Sequence, residues 1–205
     1  MKSHLVTNPY PLSENPLDRD MADDLEGLML SGPWTDDVLR FMRDHHVEGL
    51  YLNSARGWVD QDYQFLRGLP WLRLLDLVTP APSGTDLSPL ESLLKLEKLR
   101  ISTHAERHID FSALNSLHSC FISWWPGASS ILECHNLRHA YFDKMDRFGI
   151  ANLAGLRDLQ KLTLGNSPIR SIEPILELDK LERLELLNCR QIEDFQGIGR
   201  LRHLR

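Results

Sequence analysis

The chain has 205 residues, of which 29 are acidic and 23 are basic, and its formal net charge is −6. A negatively charged chain lacks the basic field that attracts phosphate backbones, so we expect no nucleic acid among its partners. No stretch is apolar over the length of a signal peptide or a membrane span, which predicts a cytoplasmic protein without a membrane partner. Three cysteines are too few for a disulfide framework, and we expect them to be small buried hydrophobes.

The N-terminal part of the chain lacks a regular apolar spacing. Residues 1–24 carry three prolines, and we interpret them as an irregular segment that shields the unit after it. Residues 35–46 differ, because Thr35 can cap a helix and two aspartates follow it. The apolar residues of this stretch fall on one helical face, namely Val38, Phe41 and Met42. We therefore predict a helix over residues 35–46.

One apolar pattern recurs nine times from residue 25 onward. An aliphatic residue is followed three and five positions later by two more apolar ones, and all 26 residues at these first, fourth and sixth positions are apolar. The segments open at Leu25, Val47, Leu72, Leu96, Leu117, Leu137, Leu159, Leu181 and Leu201. A pattern held at one period predicts a stacked repeat, because one unit cannot bury its apolar face without a neighbour.

Each segment alternates as a short strand does, with the fourth and sixth positions inward and the third and fifth outward. Between segments the apolar spacing becomes three, which suits tight 3₁₀ turns. We predict neighbouring strands of one parallel sheet within residues 27–32, 49–53, 74–78, 98–102, 119–123, 139–143, 161–165 and 183–187.

The LxxLxL segments, which include LRLLDL, LEKLRI, LQKLTL and LERLEL, resemble those of leucine-rich repeat proteins. The spacing is similar to that of the short bacterial type, with about 22 residues per repeat. The resemblance implies an α/β repeat over residues 25–205, a right-handed solenoid with a concave parallel sheet and short 3₁₀ or helical convex turns. The family usually has Asn or Cys at the ninth position of a repeat to satisfy backbone groups of the turn. Here only Cys189 conforms, so we expect irregular turns.

Residues 201–205, LRHLR, resemble the opening of a ninth, incomplete repeat without a polar cap. Terminal repeats normally need such a cap. We therefore expect the apolar layer of Leu201 and Leu204 to be covered by a second copy or by another partner.

The motifs of catalysis and metal binding are missing from the sequence. His104 and His108 are four residues apart, as are His135 and His139, but this spacing brings ligands together only on a helix. No nucleophile elbow, phosphate loop or pair of catalytic carboxylates is present. We expect a protein that is not an enzyme, has no catalytic residue and holds no metal or other cofactor.

The outward positions favour a binding surface in the middle of the sheet. Phe121 and Tyr141 should be side-by-side neighbours, because adjacent strands lie about 4.8 Å apart. Exposed aromatic residues ringed by charges are typical of protein-interface hot spots. The predicted partner-binding residues are Tyr51, Asp76, Arg100, Phe121, Trp124, Tyr141 and Asp143. An alternative remains for the tryptophans, since Trp124 or Trp125 could instead fold inward under an irregular turn.

Our main hypothesis is a non-catalytic scaffold that binds a partner protein on its concave face, and an inhibitor or neutralising partner is its narrower form. The alternative is a structural homo-oligomer, such as a homodimer, assembled through the C-terminal edge, because an unpaired terminal strand is a template for another strand. An enzyme would need a convergent polar cluster that the sequence does not offer.

Overall fold

The computed structural model describes residues 4–6, 27–59, 62–80, 85–103 and 106–205. Within these ranges nine strands form one sheet whose spatial order is the chain order. They are β1 His4–Val6, β2 Gly27–Met29, β3 Gly49–Asn53, β4 Leu74–Val78, β5 Lys98–Ser102, β6 Ser119–Ser123, β7 His139–Asp143, β8 Lys161–Gly165 and β9 Arg183–Leu187. From β2 to β9 every neighbouring pair is parallel, which confirms the predicted sheet.

The connections between strands are short and mostly 3₁₀-helical, as the apolar spacing of three predicted. Two α-helices interrupt this pattern, α1 at Asp36–Asp44 and α2 at Arg147–Ala151. The Thr35 hydroxyl accepts a hydrogen bond from the Val38 backbone N–H at 3.4 Å and so caps α1 as expected. None of the helices in the described ranges is long and apolar enough to cross a membrane. The 3₁₀ helices are Ser54–Arg56, Gln64–Gly68, Ser88–Ser92, Pro126–Glu133, Leu153–Gly155, Glu173–Ile175 and Ile198–Arg200.

The core is a stack of layers between the sheet and the turns. Inward residues of neighbouring strands lie opposite one another, so that Leu162 of β8 is flanked by Ala140 and Leu184. Where a layer receives the small side chain of Ala140, the same strand supplies the bulky Phe142, and both are buried. A large residue beside a small one keeps the layer volume roughly constant, which cores tolerate.

At the N-terminal side, β1 pairs antiparallel with β2, with His4 opposite Met29 and Val6 opposite Gly27. The repeat pattern did not predict this strand, because its three residues lie outside the periodic region. Apart from β1, the predicted shielding segment over residues 1–24 lies outside the described residues. That segment, and the domain boundary at residue 25, stay predictions.

The prediction that the ninth repeat opens at Leu201 is wrong by three positions. Leu204 N–H donates to the Leu201 carbonyl, as Leu181 N–H does to Leu178 in the preceding repeat. The apolar spacing of three in the turn continues through Leu201 to Leu204, so the sequence offered two equivalent starting points. Leu204 is the first position of this repeat, residues 201–204 form a turn, and Arg205 N–H donates to the Glu182 carbonyl as Glu182 N–H does to Gln160 one repeat earlier. Within the described sheet, β9 is the last strand.

A row of polar side chains, here called the charged row, runs beside the strands at the second position of four successive repeats, and its first three members alternate in charge. Arg73 lies between two carboxylates, with Nη1 2.9 Å from Glu48 Oε2 and Nε 2.8 Å from Glu97 Oε1. His118 Nε2 lies 3.7 Å from the other oxygen of Glu97. Hydrogen bonding from Arg73 is the main reason why the pKa of the Glu97 carboxyl is lowered. The row therefore links neighbouring repeats through side chains at the surface.

We expect Glu97→Gln to make the fold less sensitive to acid. The folded-state pKa of Glu97 lies below its ordinary value of 4.5. Its contribution to the free energy of unfolding is therefore present above the unfolded-state pKa and is lost as the pH falls through the folded-state pKa. Because the pair is partly exposed, this contribution is about 1 kcal/mol. Thermal denaturation from neutral pH to pH below 4.5 should show a smaller decrease in Tm for the variant.

The matched control is Glu182→Gln, whose carboxylate lies 3.9 Å from Arg205 in a more exposed setting. This variant should keep the wild-type dependence of Tm on pH. An identical pH dependence in the Glu97 variant and the wild type would contradict a stabilising role for the charged row.

Candidate functional site

Four fifth-position side chains form a continuous set of contacts across β4 to β7, here called the concave row, and they are Asp76, Arg100, Phe121 and Tyr141. Strand pairing places each directly opposite the next. Arg100 Nη1 lies 3.3 Å from Asp76 Oδ2, and the Arg100 guanidinium carbon lies 5.1 Å from the centre of the Phe121 ring. The Phe121 and Tyr141 rings stack with centroids 4.6 Å apart and planes 8° apart. The predicted side-by-side arrangement of the two aromatic residues is confirmed.

The two halves of the concave row differ in their access to solvent. Asp76 is 1% exposed and Arg100 is 6% exposed, whereas Phe121 and Tyr141 are only partly buried. A buried ion pair contributes little net stability, because desolvation offsets its attraction. Its consequence here is orientation, since the pair with Asp76 fixes the Arg100 guanidinium against Phe121 in a cation–π contact. The accessible part of the row is therefore an aromatic stack supported from one side by a buried charge.

The position of Tyr141 depends on a glycine in the neighbouring strand. A Cβ atom on Gly165 of β8 would lie 2.5 Å from the Tyr141 hydroxyl oxygen and 3.0 Å from Asp143 Oδ1. The tyrosine can thus extend over β8 only because residue 165 has no side chain. Burial, together with the nearby Asp143 carboxylate, raises the pKa of the Tyr141 hydroxyl. The hydroxyl therefore stays protonated at neutral pH and can donate a hydrogen bond to a ligand.

Asp143 lies at the end of β7 and begins a ladder of side-chain hydrogen bonds along the rim of the sheet. Its Oδ1 accepts from Asn166 Nδ2 at 2.6 Å, and Asn166 Oδ1 accepts from Asn188 Nδ2 at 2.6 Å. Asn166 and Asn188 have left-handed backbones, with φ of 49° and 55°, a conformation that asparagine tolerates better than most residues. The two asparagines are 22 residues apart, one repeat period, and this recurrence directly after a strand is the sequence signal that could have predicted the ladder.

The ninth position of the repeat satisfies backbone groups of the turn, as the family resemblance implied for Cys189. The Cys189 thiol donates to the Leu164 carbonyl at 3.3 Å. Ser167 takes the same role one repeat earlier, since its hydroxyl donates to the Gly165 carbonyl at 2.8 Å and accepts from the Met145 N–H at 3.0 Å. The Ser167 turn therefore has its backbone groups satisfied, although its ninth position is neither Asn nor Cys.

Two of the predicted contact residues, Tyr51 and Trp124, are aromatic side chains that the structure buries. Tyr51 is 2% exposed and packs with Met29 and Leu74 in a small apolar cluster on the concave side. Its ring lies over Gly27, where a Cβ atom would meet the Tyr51 side chain. Trp124 is 8% exposed, and its ring contacts Phe142 edge-on with centroids 5.7 Å apart. The prediction that Trp124 is an exposed contact residue is wrong.

Trp125 also points inward, and its indole Nε1 donates to the Arg107 carbonyl at 2.8 Å. Both tryptophans thus fill space under the turn that follows β6.

Of the seven predicted contact residues, Tyr51, Asp76, Arg100 and Trp124 are buried, and Phe121, Tyr141 and Asp143 keep accessible surface. The accessible surface of these last three residues is here called the aromatic patch.

Comparison with known proteins identifies the architecture. No family model and no curated protein matches the chain. Among solved structures, the internalin inlF from Listeria monocytogenes is similar, with a TM-score of 0.57 and 19% sequence identity over 76% of this chain and 52% of that chain. The chain has the leucine-rich repeat fold.

Two further leucine-rich repeat neighbours agree with this assignment. The internalin C2 from Listeria monocytogenes has a TM-score of 0.50 and 18% identity, covering 77% of this chain and 78% of that chain. A plant peptide hormone receptor, RGFR1, solved in complex with RGF2, has a TM-score of 0.54 and 16% identity over 86% of this chain and 34% of that chain. The present chain thus spans about half the length of the inlF structure and a third of the receptor structure.

Proposed function

We propose that this chain is a non-catalytic scaffold that binds a partner protein on its concave face, with the aromatic patch at the centre of the contact. The observation that carries the proposal is the stacked, partly exposed pair of Phe121 and Tyr141, held in place by Arg100. In its narrower form, the proposal is that this chain inhibits or neutralises the protein that it binds.

The geometry supports binding because the two aromatic side chains are already held in place before a partner binds. Buried Asp76 and Arg100 orient one ring, and the absent side chain of Gly165 admits the other. Preorganised side chains lose less conformational entropy on association, which favours affinity. Aromatic residues surrounded by less critical contacts are typical hot spots. The receptor RGFR1, solved in complex with RGF2, has a similar fold.

The size of the sheet also suits a protein partner. Eight parallel strands spaced about 4.8 Å apart extend over roughly 35 Å, which is enough for a standard interface of about 800 Å² per partner.

Among the described residues, no group of His, Cys, Asp or Glu could hold a metal ion. We include a cytoplasmic location and a bacterial source in the proposal, and the three buried free thiols fit a reducing compartment.

We expect Phe121→Ala and Tyr141→Ala to weaken partner binding far more than they weaken the fold. Each ring is partly exposed, so the loss of stability should stay well under the 3–5 kcal/mol typical of removing a buried aromatic residue. The loss of binding free energy should reach about 2 kcal/mol, because truncated interface anchors often cost that much. The partner is first captured from the source organism on the immobilised wild-type chain and is then titrated against each variant, with Tm measured in parallel.

The matched control is Phe148→Ala, since Phe148 is an aromatic residue that is 66% exposed on α2, away from the concave row. This variant should bind like the wild type. Unchanged affinity in both patch variants would place the binding site elsewhere. A large decrease in Tm for either one would mean that its ring belongs to the core.

A further inference from the structure

Asp143 is a carboxylate beside the aromatic stack whose charge no cation of the described residues neutralises. Among these residues, the neutral amide of Asn166 is the sole hydrogen-bond donor to it, with Nδ2 2.6 Å from Oδ1. None of the ion pairs between described residues includes Asp143. Glu185, a second carboxylate that acts on Tyr141, is compensated, since Arg183 Nε lies 2.8 Å from its Oε1. Asp143 therefore keeps a negative charge that can attract a cation.

The Tyr141 hydroxyl lies beside this carboxylate. A Cβ atom on Gly165 would lie 2.5 Å from the hydroxyl oxygen and 3.0 Å from Asp143 Oδ1, so the two oxygens flank one point over β8. Burial is the main reason why the pKa of the Tyr141 hydroxyl is raised, and the charge of Asp143 is the next. A phenol oxygen also accepts hydrogen bonds. A cationic donor from outside the chain would thus meet a carboxylate and a phenol oxygen together.

The aromatic stack presents the edges of its rings to a partner. Strand pairing places Arg100 and Tyr141 on opposite sides of Phe121, and both contact its ring, so the two faces of Phe121 are covered. Ring edges carry a partial positive charge, which makes them a poor contact for a cation but leaves them open to an aliphatic chain. Asp143 lies two residues beyond Tyr141 on β7, about 6.6 Å along the strand. A side chain with an apolar stem and a cationic end fits this arrangement.

We propose that the partner protein places a lysine side chain on this surface. Its stem packs on the ring edges of Phe121 and Tyr141, and its ammonium group donates to Asp143 Oδ2 and to the Tyr141 hydroxyl oxygen. Lysine fits better than arginine, because Asn166 already donates to Oδ1 and a guanidinium binds a carboxylate best through both oxygens. This inference rests on the function proposed above and adds the chemistry of the partner.

The Asp143 carboxylate is oriented before a partner binds. Asn166, which donates to it, itself accepts from Asn188 Nδ2 through Oδ1 at 2.6 Å. This ladder fixes the position of Asp143 Oδ1 and so restrains rotation of the carboxylate. An acceptor that is held in place loses less conformational entropy when a ligand binds.

The distribution of charge favours this end of the strands for a cation. His139 and Lys161 are the first residues of β7 and β8, whereas Asp143 is the last residue of β7. Four residues of extended strand separate His139 from Asp143 by about 13 Å, which exceeds the Debye length of about 8 Å at physiological salt. The net charge of −6 also steers a basic partner toward the chain.

Three labelled decapeptides test the contact with defined chemistry. They alternate serine with lysine, with Nε-acetyl-lysine or with arginine, and the fluorescence anisotropy of each is titrated with the 205-residue chain at low salt. We expect the lysine peptide to bind most tightly and the arginine peptide to bind less tightly. The acetylated peptide has lost its positive charges and should bind about tenfold more weakly than the lysine peptide.

Substitutions of the two acceptors test the geometry. Asp143→Asn should weaken binding of the lysine peptide about tenfold, because it removes the charge. Asparagine keeps an oxygen that accepts from Asn166, so the ladder and the Tm should be preserved. Tyr141→Phe keeps the ring and should weaken binding about threefold through loss of the hydroxyl acceptor. The matched control is Asp179→Asn, which removes an exposed carboxylate in the turn before β9 and should bind like the wild type.

Equal binding of the lysine and acetylated peptides would overturn the proposal, and so would unchanged binding by Asp143→Asn. The partner captured on the wild-type chain separates this failure from a failure of the proposed function. If Phe121→Ala lost affinity for that partner while Asp143→Asn kept it, the aromatic stack would remain the binding site and the lysine contact would be rejected. Loss of affinity in both variants, with Tm preserved, supports the lysine contact.

Discussion

Leu162→Asp should unfold the C-terminal repeats at neutral pH. Leu162 is fully buried in β8, opposite Ala140 on one side and Leu184 on the other. An aspartate there would place an unpaired charge between two repeats, where no solvent reaches it. An uncompensated buried charge of this kind typically costs 3–5 kcal/mol, and the lost leucine contacts add to that cost. The free energy of unfolding of a native protein is typically 5–15 kcal/mol, so such a loss removes much of it.

The matched control for this prediction is Leu184→Asp, the same change one repeat later. Leu184 is only partly buried because β9 is the edge strand of the described sheet. The carboxylate of an aspartate at this position can therefore reach water with a small movement. We expect it to cost less than half as much as Leu162→Asp. Urea titrations followed by circular dichroism would measure both. Equal losses of stability would mean that the edge layer is covered under the conditions of the experiment.

The sequence predicted the sheet well because one geometric rule holds in every repeat. Apolar residues at the fourth and sixth positions must face inward once a strand alternates, and β2 to β9 all follow that rule. The rule does not determine where a repeat begins if the preceding turn is also apolar at every third residue. Leu201 and Leu204 are both apolar and three residues apart, and the hydrogen bond from Arg205 N–H to the Glu182 carbonyl identifies Leu204 as the first position of the repeat.

The candidate site was predicted only in part, and the reason differs between residues. Phe121 and Tyr141 follow from the pleat and strand spacing alone, and their stacking agrees with the prediction. Tyr51 is an outward residue whose burial depends on packing with Met29 and Leu74, which strand alternation does not encode. Trp124 lies beyond the end of β6, where the direction of its side chain depends on the fold of the following turn.

We expect Trp124→Ala to destabilise the protein by about 3–5 kcal/mol, as is typical for a buried aromatic residue. The Trp124 ring packs edge-on against Phe142, and a Cβ atom on Gly149 of α2 would lie 2.7 Å from the Trp124 ring. Its truncation would thus open a cavity between β7 and α2, where the surroundings relax only in part. The free energy of unfolding in urea measures this loss, and Phe121→Ala serves as the contrast with a partly exposed ring.

Trp124→Phe separates the packing of this residue from its hydrogen bonding. Among the described residues, no acceptor lies within hydrogen-bonding distance of the buried Trp124 Nε1. Phenylalanine keeps most of the ring and removes that unpaired N–H group, so the gain from losing a buried donor offsets part of the lost volume. We expect a net cost of about 1 kcal/mol or less. If Trp124→Ala cost no more than Phe121→Ala, Trp124 would not belong to the core and the rim would return as a candidate contact surface.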